Sequence, residues 1–470
     1  MVTTLILLVI LILVPLLSSS FVRTSFAFQS GEDASVVLGQ FNFTATLAGG
    51  NGTGLFGPEG ITVDSKGNVW VSDSENNRVL EFTKPFSTGE GASVVLGQEN
   101  FSSYLCGAAT LANLCDPQGI AFDSSGNLYV ADNSNNRVLE FKPPFSDGES
   151  ASLSIGVTSN NTTQSSLDSP IGVALDSSNN LWVVDSTDQG VLKFSAPLSN
   201  NESASLVIGQ TNYVSNSSGA NQSGFNAPTT IAFDHSGDLW VTDSSNHRVM
   251  EFPSPLSTGE NATVEIGQAN FSSSNTTGSQ SVLPSPYGIA FDSTGNLWVS
   301  DTYDGRVLEF SPPFSNGENA SLVIGQATFN ASVTSASQSL LSGPEALAFD
   351  PSGNLWVLDS SNNRALEFTP SGVVATQSSS STTSSSSSST SSSSSAIIST
   401  SVSTSSRSSS VVSTTSTVVS TTSASTTTTS TSTSSHSASS LSASYLYVIA
   451  VVLFISALLS VPVARKRKLA

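Results

Sequence analysis

Between Gly57 and Phe368 the chain repeats one pattern of prolines, glycines, aspartates and aromatics six times. The first copy runs Pro58-Glu59-Gly60-Ile61-Thr62-Val63, then Asp64-Ser65-Lys66-Gly67-Asn68, then Val69-Trp70-Val71-Ser72-Asp73, and closes on Arg78-Val79-Leu80-Glu81-Phe82. The lead prolines are Pro58, Pro117, Pro170, Pro228, Pro286 and Pro344. Such a repeat constrains the fold more than any motif, because a unit that cannot bury its apolar face alone must stack on copies of itself. Residues that recur are therefore explained first by the scaffold. Specificity is to be sought where the copies differ at a fixed position.

Each unit holds four short apolar runs bounded by Gly, Asn, Pro and Ser, the signature of strands joined by turns. In the first unit these are strand a (Gly60–Val63), strand b (Val69–Ser72), strand c (Arg78–Phe82) and strand d (Ala92–Leu96). A d-like run, Ala34–Leu38, precedes the first unit, while the sixth ends at strand c, Ala365–Phe368. The early run is expected to complete the sixth unit and close a ring.

The segments Gly119–Asp123, Gly126–Asp132 and Asn136–Val138 resemble the NHL repeat, with its Gly-Ile-Ala-x-Asp, Gly-Asn-Leu-Tyr-Val-x-Asp and Asn-Arg-Val elements. The resemblance covers about Gly31 to Pro370 and implies an all-β, six-bladed β-propeller of four-stranded blades, whose radial repetition leaves only short sheet edges. In such blades the b–c and d–a connections share one face, and the a–b and c–d connections share the other.

Composition divides the rest. Residues 1–27 read as a signal peptide, with an apolar run from Leu5 to Leu17 and cleavage expected after Ser20 or Ala27. The propeller is expected over 28–370. Residues 371–444 are almost wholly Ser and Thr, a disordered and O-glycosylated type of stalk. Residues 445–464 are uncharged and apolar, long enough for a transmembrane helix, and the basic tail 465–470 places the C-terminus in the cytoplasm. The expected protein is thus single-pass at the cell membrane, its head outside. The stalk leaves after strand c of blade six, so the b–c/d–a face points away from the membrane.

The head carries all 35 acidic residues of the chain beside nine Lys and Arg, a net charge of −26. A phosphate-binding surface is basic, so nucleic acid is excluded as a partner. The two cysteines, Cys106 and Cys115, lie in one loop and read as a disulfide in an oxidising compartment. Asn-x-Ser/Thr acceptors occur at Asn42, Asn51, Asn100, Asn160, Asn161, Asn201, Asn216, Asn221, Asn261, Asn270, Asn275, Asn319 and Asn330, all outside the segments from lead Pro to the end of strand c.

Three recurring features read as frame. The five tryptophans, with Tyr129 in the second copy, share one strand-b position suited to filling the wedge between blades. The aspartate ending strand b and the arginine opening strand c read as a clamp; in the third copy Gly190 replaces that arginine. Asp64–Asn68 and its copies have one acid where a calcium loop needs several, so they read as tight turns, and no metal or cofactor is expected.

The position after each lead Pro is not fixed by the frame. It reads Glu59, Gln118, Ile171, Thr229, Tyr287 and Glu345, a ring at the distal mouth of the central channel. Tyr104, Tyr213 and Tyr303 also fall on distal loops. Some propellers of the kind resembled are enzymes, among them amidating lyases and streptogramin lyases, which use histidine or a bound metal. Here His235 and His247 fall on opposite faces, so they make no pair. The function expected is an extracellular binding module for a protein, peptide or glycan, acting through the distal face, rather than an enzyme. The alternatives are a metal-dependent, lactonase-like hydrolase or lyase using Glu59 and Glu345, and a structural component of the cell envelope.

Overall fold

A computed structural model describes residues 24–156 and 163–375. The stalk beyond Ala375, the apolar segment 445–464, the basic tail, most of the leader, and the acceptors Asn160 and Asn161 lie outside these residues. Among the described residues no helix is long and apolar enough to cross a membrane.

The described chain is an all-β propeller of six four-stranded blades. In blade one strand a is Pro58–Val63, strand b Val69–Asp73, strand c Arg78–Phe82 and strand d Val94–Leu96. The a strands of the other blades open on Pro117, Pro170, Pro228, Pro286 and Pro344. Blade six takes its fourth strand from the start of the chain: Val36–Leu38 pairs antiparallel with Arg364–Phe368, Val36 opposite Glu367 and Leu38 opposite Ala365. The ring closes as the strand count requires. A further two-stranded ribbon, outside the repeat, pairs Thr24–Ala27 with Gly372–Ala375 and brings the two ends of the described chain together.

Every residue of all six b strands is buried. These strands are covered on both faces, which is why they read as continuous apolar runs of Val, Leu and Trp rather than alternating. The tryptophans Trp70, Trp182, Trp240, Trp298 and Trp356 are at most 1% exposed. Each fills the gap toward the following blade. Trp356 meets Phe86 of blade one edge to face at 4.9 Å, and Trp298 meets Phe349 of blade six at 5.7 Å.

The a–b turns are held by their aspartates. Asp64 Oδ1 accepts the N–H groups of Lys66 and Asn68 at 2.9 and 2.8 Å, and Gly67 supplies the left-handed step with φ +86°. Around the axis the a strands crowd closely. A Cβ on Gly60 would lie 2.1 Å from the carbonyl oxygen of Gln118, so only glycine admits the neighbouring strand there.

Hydrogen bonds tie each b–c loop to the next blade. Ser74 Oγ donates to the Pro117 carbonyl at 2.5 Å, and Asp116 N–H donates to Asn77 Oδ1 at 2.8 Å. The seam between blades six and one repeats the same joint: Ser360 Oγ donates to the Pro58 carbonyl at 2.5 Å, and Gly57 N–H to Asn363 Oδ1 at 2.9 Å. The closing joint is built like the internal ones.

Candidate binding face and channel mouth

The b–c/d–a face is assembled by buried ion pairs. Asp73, at the end of strand b, accepts Arg78 Nε at 2.7 Å, and both side chains are fully buried. Asp73 Oδ1 also takes the N–H of Phe56, while the guanidinium continues to the carbonyls of Asn51, Gly54 and Phe101 at 2.8, 3.1 and 2.5 Å. One clamp thus fixes a b–c loop and the two flanking d–a loops. Burial pushes Asp73 up to about 6, and Arg78 pulls against that rise. Blades two, four, five and six repeat the pair.

Blade three keeps the acid without the base. Asp185 is 1% exposed and, among the described residues, accepts the main-chain N–H groups of Asp168 at 3.1 Å and Asp188 at 3.4 Å. Burial, then Asp188 and Asp168, push its carboxyl well above the usual range.

At the mouth, Glu59, Gln118, Ile171 and Tyr287 line a cavity of about 110 Å³. Beneath them Ile61, Ile120, Val173, Ile231, Ile289 and Leu347, one from each a strand, make an apolar floor. Thr229 turns aside and donates its hydroxyl to the Tyr287 carbonyl at 2.8 Å. Glu345 lies between the blades of Tyr287 and Glu59, and its Oε2 has no hydrogen-bond partner; nor has Gln118 Oε1. The polar arc therefore runs from Tyr287 through Glu345 and Glu59 to Gln118, opposite the Ile171 and Thr229 side.

Among the described residues no cation offsets these acids. Burial, then Glu345, Asp116 and Glu75, raise Glu59 to about 8, and burial raises Glu345 to about 7 against a Ser360 hydrogen bond. Burial, then Glu59, Glu345 and Asp116, push the Tyr287 hydroxyl well above its ordinary value. Asp116 belongs to this group yet lies outside the variable ring. It precedes lead Pro117 in the left-handed conformation, φ +53°, and the only sequence signal for it is an acid at a position where Gly57 and Gly343 stand in other copies.

Among the described residues, the large apolar side chains that stand exposed are Phe41, Leu47, Phe56, Tyr104, Leu105, Leu111, Val214, Tyr303 and Val333. All nine sit on d–a or b–c loops. Tyr303 and Tyr104 are 75% and 57% exposed, whereas Tyr213 packs partly against the core between blades two and three. Of the glycan acceptors described, Asn42 is half-buried and the others are exposed. Cys106 and Cys115 are joined in a disulfide within the d–a loop that carries Tyr104.

On the opposite face Asp234, Asp238 and Glu251 bring carboxylate oxygens within 4.8 Å of one another. Asp238 stands where other blades have asparagine; Asn68, for example, donates its amide to Asp64 and to Glu81, both at 3.0 Å. His235 neighbours this cluster in the a–b turn. His247 lies on the b–c/d–a face, its Nδ1 2.5 Å from the Pro284 carbonyl. The two histidines are not brought together.

The NHL repeat family matches residues 57–82, 114–141 and 225–252. A curated relative, peptidyl-alpha-hydroxyglycine alpha-amidating lyase 2 of Drosophila melanogaster, is 30% identical over 100 residues, 21% of this chain and 23% of its own length. The chain spans about a quarter of the length of the curated relatives it matches. Among solved structures, a streptogramin B lyase aligns over 69% of this chain and 96% of its own, with 13% identity and a TM-score of 0.43. A putative gluconolactonase aligns over 73% and 94%, with 17% identity and a TM-score of 0.45. The chain is a six-bladed β-propeller, and three of its blades match the NHL repeat.

Proposed function

We propose that this protein is a cell-surface recognition module whose distal face binds an extracellular protein, peptide or glycan. One observation carries the reading: among the described residues, all nine exposed large apolar side chains lie on the d–a and b–c loops. Apolar groups scattered over a surface need no explanation, but their confinement to one face of a disc marks that face for contact. The clamps hold these loops in place before any partner arrives, which lowers the ordering cost of binding. The channel mouth adds polar specificity, since Glu345 Oε2 and Gln118 Oε1 lack donors that a ligand's N–H or O–H groups can supply.

The test is retention of a defined extracellular peptide or glycan set on the immobilised full-length chain. Leu105→Ser with Tyr303→Ser, and separately Tyr287→Phe with Glu345→Gln, are expected to weaken retention. Substitutions in the exposed c–d links, such as Ser87→Ala, are expected to leave it unchanged. Equal retention by all variants overturns the reading.

A second reading rests on the donor set at the mouth. Glu59 and Gln118 line the cavity and Glu345 stands beside Glu59 on the next blade, oxygen donors of the type a hard divalent cation takes, with no histidine among the cavity's lining residues. A lactonase-like hydrolase or lyase would hold such an ion there to polarise a substrate oxygen. This reading expects a stoichiometric divalent ion by elemental analysis, lost in Glu59→Gln/Glu345→Gln. A metal-free wild-type chain that takes up no calcium or magnesium overturns it.

A further inference from the structure

We propose that the channel mouth receives the free N-terminus of a peptide whose first residue is aliphatic. The α-ammonium is held by the polar collar, and the first side chain rests on the apolar floor. The cavity is about 110 Å³, several times the ~10–15 Å³ at which one water fits. Its two layers follow from the course of strand a. Each a strand starts at its lead proline on the b–c/d–a face and runs down the channel, so Glu59 stands above Ile61 and Gln118 above Ile120. Polar side chains therefore mark the entrance, and aliphatic ones, one from each a strand, lie deeper.

The entrance offers acceptors that lack donors. Asp116 takes the side-chain amide N–H of Gln118, which leaves Gln118 Oε1 buried with no partner. Glu59 lines the cavity on the adjoining blade, and Glu345 stands beside Glu59 with its Oε2 unpartnered. No Lys or Arg is among the cavity's lining residues. A group with three N–H donors and a positive charge supplies what this arc lacks.

The layering separates the candidate occupants. A lysine side chain entering tip first carries its ammonium past the collar onto aliphatic carbons, where it loses water and gains no acceptor. A sugar can satisfy the collar but leaves hydroxyls unpaired against the floor. A hard divalent cation takes about six to eight oxygens, and the aliphatic floor contributes no side-chain oxygen. A peptide N-terminus carries its ammonium and its first side chain on one Cα. A leucine-like first residue can therefore set charge at the collar and hydrocarbon below it. The rest of the peptide then leaves toward the d–a and b–c loops, where the exposed apolar side chains stand. The inference rests on that face being a recognition surface for peptides, and it fixes which end of the peptide enters the mouth.

The probe is leucyl-glycyl-glycine amide, titrated into the full-length chain and followed by calorimetry and by thermal midpoint. Separate arms use its N-acetylated form, triglycine amide, N-acetyl-L-lysine methylamide and calcium chloride. The expected result is saturable, one-to-one binding with a Kd on the order of 0.1–1 mM and a raised midpoint. The acetylated peptide keeps the side chain and loses the charge, and no saturable binding is expected of it. Triglycine amide keeps the charge and loses the side chain, and is expected to bind about tenfold more weakly. Glu59→Gln and Glu345→Gln, which preserve side-chain size, are each expected to weaken binding about tenfold. Ala346→Leu, which fills the cavity and leaves both acids in place, is expected to abolish it. Absence of saturable binding by the free-amine peptide overturns the proposal, as does equal binding by its acetylated form or by triglycine amide. Preference for the lysine analogue or for calcium also overturns it, and so does equal binding by the wild type and both glutamine variants. Retention of larger partners is read separately from Leu105→Ser with Tyr303→Ser, so a failed tripeptide titration leaves that retention standing.

Discussion

The clamps and the channel mouth both bury carboxylates, and they treat them in opposite ways. Asp73, Asp301 and their counterparts face an arginine at hydrogen-bond distance, and Arg78 spends its remaining N–H groups on loop carbonyls. Glu59 and Glu345 face each other and Tyr287, with no cation beside them among the described residues and with Glu345 Oε2 left unpaired. A clamp carboxylate is recognised by the arginine and the main-chain N–H that hold it. The mouth holds unpaired acid where the same scaffold shows it can pair acid, and that contrast distinguishes a site from a strut.

Breaking a clamp is expected to have the largest effect on stability. Arg78→Met leaves Asp73 buried and unpaired and releases three loop carbonyls, a cost of about 3–5 kcal/mol for a severed buried pair. Urea denaturation of the full-length chain measures it. A loss below about 1 kcal/mol would show that the loops do not depend on the clamp. Blade three already lives without the arginine, so the same experiment calibrates what Gly190 costs the wild type.

The mouth is expected to behave in the opposite sense, with removal of charge stabilising the fold at neutral to alkaline pH. Glu59 and Glu345 titrate near 8 and 7 when folded, against a common unfolded value of 4.5. Their folded values are raised, so the stability they contribute is complete below about pH 4.5 and drains away as pH climbs through 7 and 8. The double variant Glu59→Gln/Glu345→Gln is expected to flatten this decline and to be more stable at pH 8, by on the order of 3 kcal/mol. Denaturation midpoints at pH 4.5, 6 and 8 decide it. An unchanged pH profile would mean that the pair is solvated and that the contrast with the clamps is illusory.

Much of this frame was legible beforehand. Six copies of one unit expose which residues serve geometry, so the ring closure by Val36–Leu38, the wedge tryptophans and the Asp–Arg pairs follow from comparing the copies alone. The ring Glu59, Gln118, Ile171, Thr229, Tyr287 and Glu345 was also legible as a set of positions. Its chemistry was not, because burial at the mouth depends on how closely the a strands converge. Asp116 joins the site through the path of a loop, and Thr229 leaves it through a hydrogen bond to a neighbouring main chain. The ribbon of Thr24–Ala27 with Gly372–Ala375 lies outside the repeat and has no sibling copy to announce it.

A buried acid in blade four tests whether partial pairing behaves like the clamps or like the mouth. Glu265 is wholly buried in strand d, where blades one, three and five carry Val95, Val207 and Val323. It sits 3.6 Å from Arg248, which Asp243 already holds at 2.8 Å, and burial raises it to about 7. Glu265→Val is expected to stabilise the chain at pH 8 by about 1–3 kcal/mol, since a well-packed apolar residue often replaces a buried ion pair at no loss. The gain is expected to shrink at pH 5, where the glutamic acid is neutral in the fold. A destabilised valine variant would place Glu265 with the clamps.

The smallest expected effect falls on the opposite face, where blade four loses an amide bridge. In blade one, Asn68 donates to both Asp64 and Glu81, so one neutral side chain separates two acids. Asp238 offers no such donors to Asp234 and Glu251, and burial, with Asp238 and Asp234 after it, raises Glu251. Asp238→Asn is expected to restore both bonds and to stabilise the chain by about 1 kcal/mol, read from the urea midpoint. Added calcium separates two accounts of the cluster. If the three carboxylates hold a cation, calcium stabilises the wild type and not the asparagine variant; if they are a frame defect, calcium leaves both midpoints where they were. A wild type at least as stable as the variant without calcium would show that blade four has repaired the loss by other contacts, and that a missing partner alone does not mark a site.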